Sequence, residues 1–166
     1  MSREEIARKR PAAWLKAFFE VPVWMYRIHL GFLFFGRIIV IVHQGRKSGT
    51  RYESGLEVID RVGGDLFVFA AWGTKSDWFR NIEAHGVEEL WDGSNRTAAS
   101  FRVVTEDEAY GILSDYEEHH RTSAKFFFPR MYEGYDFTEV SRRALAGSGV
   151  VVAFRPVVDN TEDPAN

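Results

Sequence analysis

Apolar residues gather in six short stretches of this chain, each bounded by glycine or polar residues. Arg37 to His43 holds the β-branched run Ile38-Ile39-Val40-Ile41-Val42 and predicts a first strand. Tyr52 to Asp60 predicts a second. The turn after it, Arg61-Val62-Gly63-Gly64, suits a hairpin because glycine takes the positive φ that tight turns require. Asp65 to Trp72 predicts a third, and its unbroken Leu66-Phe67-Val68-Phe69 implies burial on both faces. Val87 to Trp91 and Thr97 to Val104 predict two more, joined by Asp92-Gly93-Ser94-Asn95. Gly149 to Phe154 predicts the last, ended by Pro156.

Helical spacing fills the remainder. Residues 3–20 predict a helix in which Pro11 starts a second piece and Val21-Pro22-Val23 makes a break. Trp24 to Phe35 reads as an aromatic, buried connector. Trp78 to Ala84 predicts a short helix capped by Ser76 or Asp77. Thr105-Glu106-Asp107-Glu108 has the form of a capping box and opens a helix to about His120, with Ala109, Ile112, Leu113 and Tyr116 on one face. Lys125 to Tyr135 reads as irregular, and Thr138 to Ala146 as a short helix. The expected fold is α+β, a small barrel of six mostly antiparallel strands with flanking helices. Residues 1–36 form the helical segment, 37–158 the barrel and 159–166 a flexible tail.

Composition narrows the function. The 166 residues suit one domain, and 45% hydrophobic content supports a core. Aromatics are a high share at 15%, and they fill a core, line a planar-ligand pocket or sit at a membrane interface. A net charge of -3 gives no global field for nucleic acid. The absence of cysteine excludes disulfides, thiolate nucleophiles and cysteine metal sites, and fits a cytoplasmic location. Met-Ser-Arg-Glu-Glu does not read as a signal peptide. His29, Arg37 and two glycines interrupt the most apolar stretch, Ile28 to Val42, which excludes a membrane-spanning helix there. The N-terminal helix mixes Arg3, Arg8, Lys9, Arg10 and Lys16 with Trp14, Leu15, Phe18 and Phe19. It either packs on the barrel or lies on the cytoplasmic face of a membrane.

Candidate chemistry is sparse. The histidines lack metal-ligand spacing, so no metal site is expected, and no nucleophile elbow or carboxylate pair stands out. Two strand-end loops carry the remaining signal. His43-Gln44-Gly45-Arg46-Lys47-Ser48-Gly49-Thr50-Arg51 offers three cations, two hydroxyls and glycines whose backbone can approach a ligand. It reads either as a phosphate cradle or as a solvated basic turn. Trp72 to Asn81 brings Lys75, Arg80 and Asn81 beside Trp72 and Trp78, which can flank a flat ring.

Gly45-Arg46-Lys47-Ser48-Gly49 after an apolar strand resembles the G-R-K-S-G signature of the deazaflavin-dependent nitroreductases. The resemblance runs through Leu56, the loop Trp72-Gly73-Thr74-Lys75 and the sequence Asp77-Trp78-Phe79-Arg80-Asn81-Ile82, covering about residues 30–156. Gly55, Asp77 and Trp72-Gly73-Thr74 depart from that pattern, which has proline at the first two positions and a smaller loop at the third. The resemblance implies a split β-barrel binding coenzyme F420, with FMN or a lipid as the alternative ligand. It implies that Arg46, Lys47 and Ser48 hold a phosphate, with Gly49, Thr50 and Arg51 beside them. Trp72, Gly73, Thr74 and Lys75 would lie against the ring, supported by Leu56, Trp78 and Asn81. Tyr132 and Tyr135 would line the substrate side and act on a hydrophobic electrophile such as a quinone, nitroaromatic or enone.

Overall fold

The computed structural model describes residues 13–70 and 72–157. The start of the expected N-terminal helix and the tail 159–166 lie outside the described residues. The elements run α1 (Ala13–Arg27), a 3-10 turn (Gly31–Phe34), β1 (Ile38–Gln44), β2 (Arg51–Val62), β3 (Asp65–Ala70) and a second 3-10 turn (Gly73–Lys75). They continue through α2 (Asp77–His85), β4 (Val87–Asp92), β5 (Asn95–Val103), α3 (Glu106–His119), α4 (Arg121–Met131), α5 (Glu139–Ser148) and β6 (Val150–Pro156).

The six strands close into a barrel in the order β1-β2-β3-β6-β5-β4. Every pairing is antiparallel. Closure removes the edges a six-stranded sheet would otherwise expose. The period of two then sorts side chains between inside and outside. Ile39, Ile41, Leu56, Val68, Leu90 and Phe154 face inward and form the barrel core. Phe79 and Ile82 of α2 plug it from one end. Outside, Val40, Val42 and Trp91 pack against Tyr26 of α1. Phe67, Val151 and Ala153 pack under α3, α4 and α5. β3 is therefore covered on both faces, as its continuous apolar run implies.

Four local expectations change. α1 runs through Pro22 instead of breaking there. A mid-helix proline removes one backbone bond, but Pro22 and Tyr26 are buried against the barrel, and that packing outweighs the loss. Lys125 to Tyr135 is largely helical, as α4 ends only at Met131. Ala124 and Phe128 supply its buried i, i+4 pair, which the run Phe126-Phe127-Phe128 masks in the sequence. Ser76 occupies the N-cap of α2, but its hydroxyl makes no cap bond. The box at α3 is half formed: Thr105 Oγ1 accepts from the Glu108 amide, while the Glu108 carboxylate binds Arg102 instead of returning to the cap.

Candidate cofactor site

The β1–β2 loop is built from its own backbone. The Gly45 amide donates to the Thr50 carbonyl at 2.8 Å, and the Gly49 amide donates to the Gly45 carbonyl at 2.8 Å. Gly49 takes φ +68°, which disfavours a side chain. A Cβ at Gly45 would stand 2.7 Å from both Ser48 Oγ and the Tyr52 ring, so this glycine permits the close turn. Ser48 Oγ accepts from the Thr50 amide at 3.2 Å.

α2 fixes the loop from beside it. Asn81 Oδ1 accepts from the Arg46 amide at 3.1 Å and from Arg46 Nη1 at 3.0 Å. Arg46 Nη2 meets Asp77 at 2.9 Å. Arg46 Nε is buried without a hydrogen-bond partner among the described residues.

A cavity of about 740 Å³ starts at this loop and follows β2 to α3 and α4. Its volume lies in the range of small-molecule and cofactor sites. Glu53, Gly55 and Glu57 share the outer face of β2, and the missing side chain at Gly55 leaves that face flat between two carboxylates. Glu53 is neutralised by Arg27 at 2.7 Å and Arg51 at 3.1 Å. Glu57 pairs with Arg37 at 3.3 Å and accepts from the Tyr116 hydroxyl at 2.9 Å. Burial, reinforced by Glu57, pushes the Tyr116 phenol well above its usual range, so it stays protonated at neutral pH. Val23 of α1, Ile59 of β2 and Phe127 and Phe128 of α4 supply apolar wall.

The cavity brings together Arg46, Lys47, Ser48, Leu56, Trp72, Trp78 and Asn81. Trp78 packs edge-on against Phe79, with ring centroids 5.9 Å apart. Gly49 and Thr50 in the β1–β2 loop, Arg51 at the start of β2, and Gly73, Thr74 and Lys75 in the 3-10 turn do not line it. Tyr132 and Tyr135 also lie outside the lining and belong to the packing beneath α3 and α4. Tyr135 donates to Glu117 at 2.6 Å, and burial, with Glu117 next, raises its pKa beyond the usual range. The tyrosines that do reach the cavity are Tyr52 and Tyr116.

His43 and Ser54 carry no ligand signal in the sequence, yet both line the cavity. A lone histidine at a strand end has no spacing signature. The strand register supplies the missing signal, because it sets His43 opposite Tyr52 and Ile41 opposite Ser54 on the inward face.

No family model matches the chain, and no curated protein matches it. Solved structures do. One is an F420-H2 dependent reductase, 15% identical with a TM-score of 0.46, covering 70% of this chain and 93% of that one. A second, described as a domain-swapped dimer, is 15% identical with a TM-score of 0.44, covering 79% of this chain and 97% of that one. A third, from Clostridium acetobutylicum, is related to general stress protein 26 of B. subtilis, of the pyridoxinephosphate oxidase family. It is 6% identical with a TM-score of 0.43, covering 82% of this chain and 84% of that one.

Among the described residues, no three histidines, aspartates or glutamates cluster as metal ligands. No helix among them is long and apolar enough to cross a membrane.

Proposed function

We propose that the chain is an oxidoreductase that binds the deazaflavin F420 and reduces a hydrophobic electrophile such as a quinone, nitroaromatic or enone. The observation that carries this is a cavity joining a cationic loop of G-R-K-S-G sequence to an apolar chamber. The residues fit such a group. The buried, unpaired Arg46 Nε and the exposed Lys47 stand at the loop end of the cavity, ready for a phosphate. Gly55 leaves room for a flat ring, with Trp72 and Trp78 to flank it. When bound, the deazaflavin supplies the hydride. The chain does the rest. Arg46, Lys47 and Ser48 hold the phosphate, Asn81 keeps Arg46 in place, and Phe127, Phe128 and Ile59 keep water from the electrophile.

Tryptophan quenching tests this, with F420 and FMN titrated in parallel. The expected result is quenching by F420, weakened about tenfold in Lys47→Ala by loss of one charge-assisted phosphate contact. Preference for FMN would keep the site and change the cofactor. Binding of neither would sink the proposal, and recovery of a co-purified lipid would then favour a non-catalytic lipid carrier.

A membrane contact is the second part of the reading. Past Glu20, α1 and the residues that follow it carry apolar side chains on two sides. Pro22, Val23 and Tyr26 face the barrel, while Val21, Trp24 and Ile28, at i, i+3 and i+7, are exposed. Phe32, Leu33 and Phe35 of the following turn are exposed too, Phe35 at 89%. The same helix borders the cavity through Glu20 and Val23, which suits delivery of a lipid-soluble substrate. Flotation with anionic vesicles checks it, and protein left at the bottom of the gradient would refute it.

A further inference from the structure

His43 is the penultimate residue of β1 and points into the barrel mouth, in register with Ile39 and Ile41. It is only 2% exposed. A buried imidazole needs partners on both nitrogens. Here Nε2 lies 3.0 Å from Ser54 Oγ and Nδ1 lies 3.3 Å from Asn81 Nδ2. The Tyr52 ring stacks on it at 6.0 Å.

The loop fixes which nitrogen carries the proton. Two donors of Arg46 converge on Asn81 Oδ1, so the amide NH2 of Asn81 is the group facing His43. Nδ1 must therefore accept, and the proton sits on Nε2. Nε2–H then donates to Ser54 Oγ. Among the described residues Ser54 has no other hydrogen-bond partner, so its own hydroxyl proton is unused, and Ser54 lines the cavity.

We propose that Ser54 is a ligand-binding hydrogen-bond donor and that His43 is the positioning residue that keeps it one. The site then selects a planar ligand that presents a carbonyl or similar acceptor at the barrel mouth. With the opposite tautomer Ser54 would donate to Nε2 and offer the cavity an acceptor only. Asn81 carries both ends of the device, since the same amide holds Arg46 of the cationic loop and the ring of His43. The inference rests on the cofactor reading for its natural occupant, but the hydrogen-bond chain belongs to the protein alone.

Two measurements decide it. In 15N-labelled protein, long-range 1H–15N spectra at neutral pH should show His43 neutral with its proton on Nε2. A proton on Nδ1, or an imidazolium, would overturn the assignment. The second is affinity, read by chemical-shift changes with 1,4-naphthoquinone against naphthalene, the same rings without acceptors. The chain has no cysteine for the quinone to alkylate. Wild-type protein should prefer the quinone about fivefold, the worth of one neutral hydrogen bond. Ser54→Ala should erase that preference and Ser54→Thr should keep it. His43→Phe should act like Ser54→Ala, and His43→Gln, which retains a donor at the Nε2 position, should restore most of it. Equal binding of the two probes by wild-type protein, or an unchanged preference in Ser54→Ala, would overturn the proposal. If neither F420 nor FMN binds, the cofactor reading falls, and the probe pair still decides this one.

Discussion

The two faces of β2 differ more than any two regions of the molecule. Inward, Leu56 and Val58 join a core of aliphatic and aromatic side chains. Outward, on the alternate positions of the strand, stand Glu53, Gly55 and Glu57, and these border the cavity. The strand period makes this division possible without any change in backbone. The inner face supplies packing and tolerates no vacancy. The outer face supplies a flat floor and charges that are already paired, which leaves the cavity wall neutral where an apolar ring would rest. At the barrel mouth the inner face turns polar, at His43 and Ser54, where the two regions meet.

The largest expected effect breaks the inner region alone. Phe154→Ala removes a fully buried ring that contacts Trp78 and the strands around it. It should cost about 4 kcal/mol in urea unfolding. Ligand affinity should stay close to wild type where the protein is still folded. A loss below about 1 kcal/mol would mean the barrel interior can collapse around the gap.

Gly55→Val does the reverse. Gly55 is buried and lines the cavity, so a branched side chain there would stand on the cavity floor. Overpacking of this kind predicts about a tenfold or greater loss of cofactor affinity. Unchanged affinity would show that no ligand rests on β2.

Much of this division is legible in the sequence. The six apolar stretches give the barrel, and Gly-Arg-Lys-Ser-Gly marks the loop end of the cavity. What sequence hides is whatever depends on pairing across the fold. His43 gains its partners from Ser54, which is 11 residues on, and Asn81, which is 38 residues on. Neither distance leaves a local pattern. Tyr132 and Tyr135 enter only through the resemblance, in a segment that reads as irregular, yet α4 continues through Pro129 and sets Tyr135 in the packing under α3. Tyr116 looks like an ordinary core residue at helical spacing, and its body is one. Its hydroxyl reaches Glu57 across the cavity, which helical periodicity cannot show.

A smaller effect sharpens the outer region. Trp24→Ser with Phe35→Ser removes two exposed aromatics from the α1 face. Each buried aromatic is worth about 1.5–3 kcal/mol, and insertion into headgroups buries only part of each. Vesicle affinity should fall about tenfold while cofactor binding by the cavity is unchanged. Equal flotation of variant and wild type would leave the exposed face without a lipid role.

The smallest effect concerns the junction of the two faces, and it is one of pH. Burial holds the His43 imidazole below its usual range, against the opposing pull of the Gln44 backbone and the Glu88 carboxylate. The unfolded chain takes up a proton near pH 6.5. The folded chain does not do so until the pH reaches the lower value. Between these points the unfolded state binds more protons, so stability present above about pH 6.5 is lost as the pH falls. His29, His85, His119 and His120 are exposed and common to any His43 variant, so the difference between proteins isolates His43. Urea unfolding at pH 7, 6 and 5 should show wild type losing more stability than His43→Gln, which cannot titrate there. Parallel losses would mean that His43 takes up its proton as readily in the barrel as in water. Asn81 would then face a charged ring, and the polar junction would not hold the Ser54 hydroxyl toward the ligand.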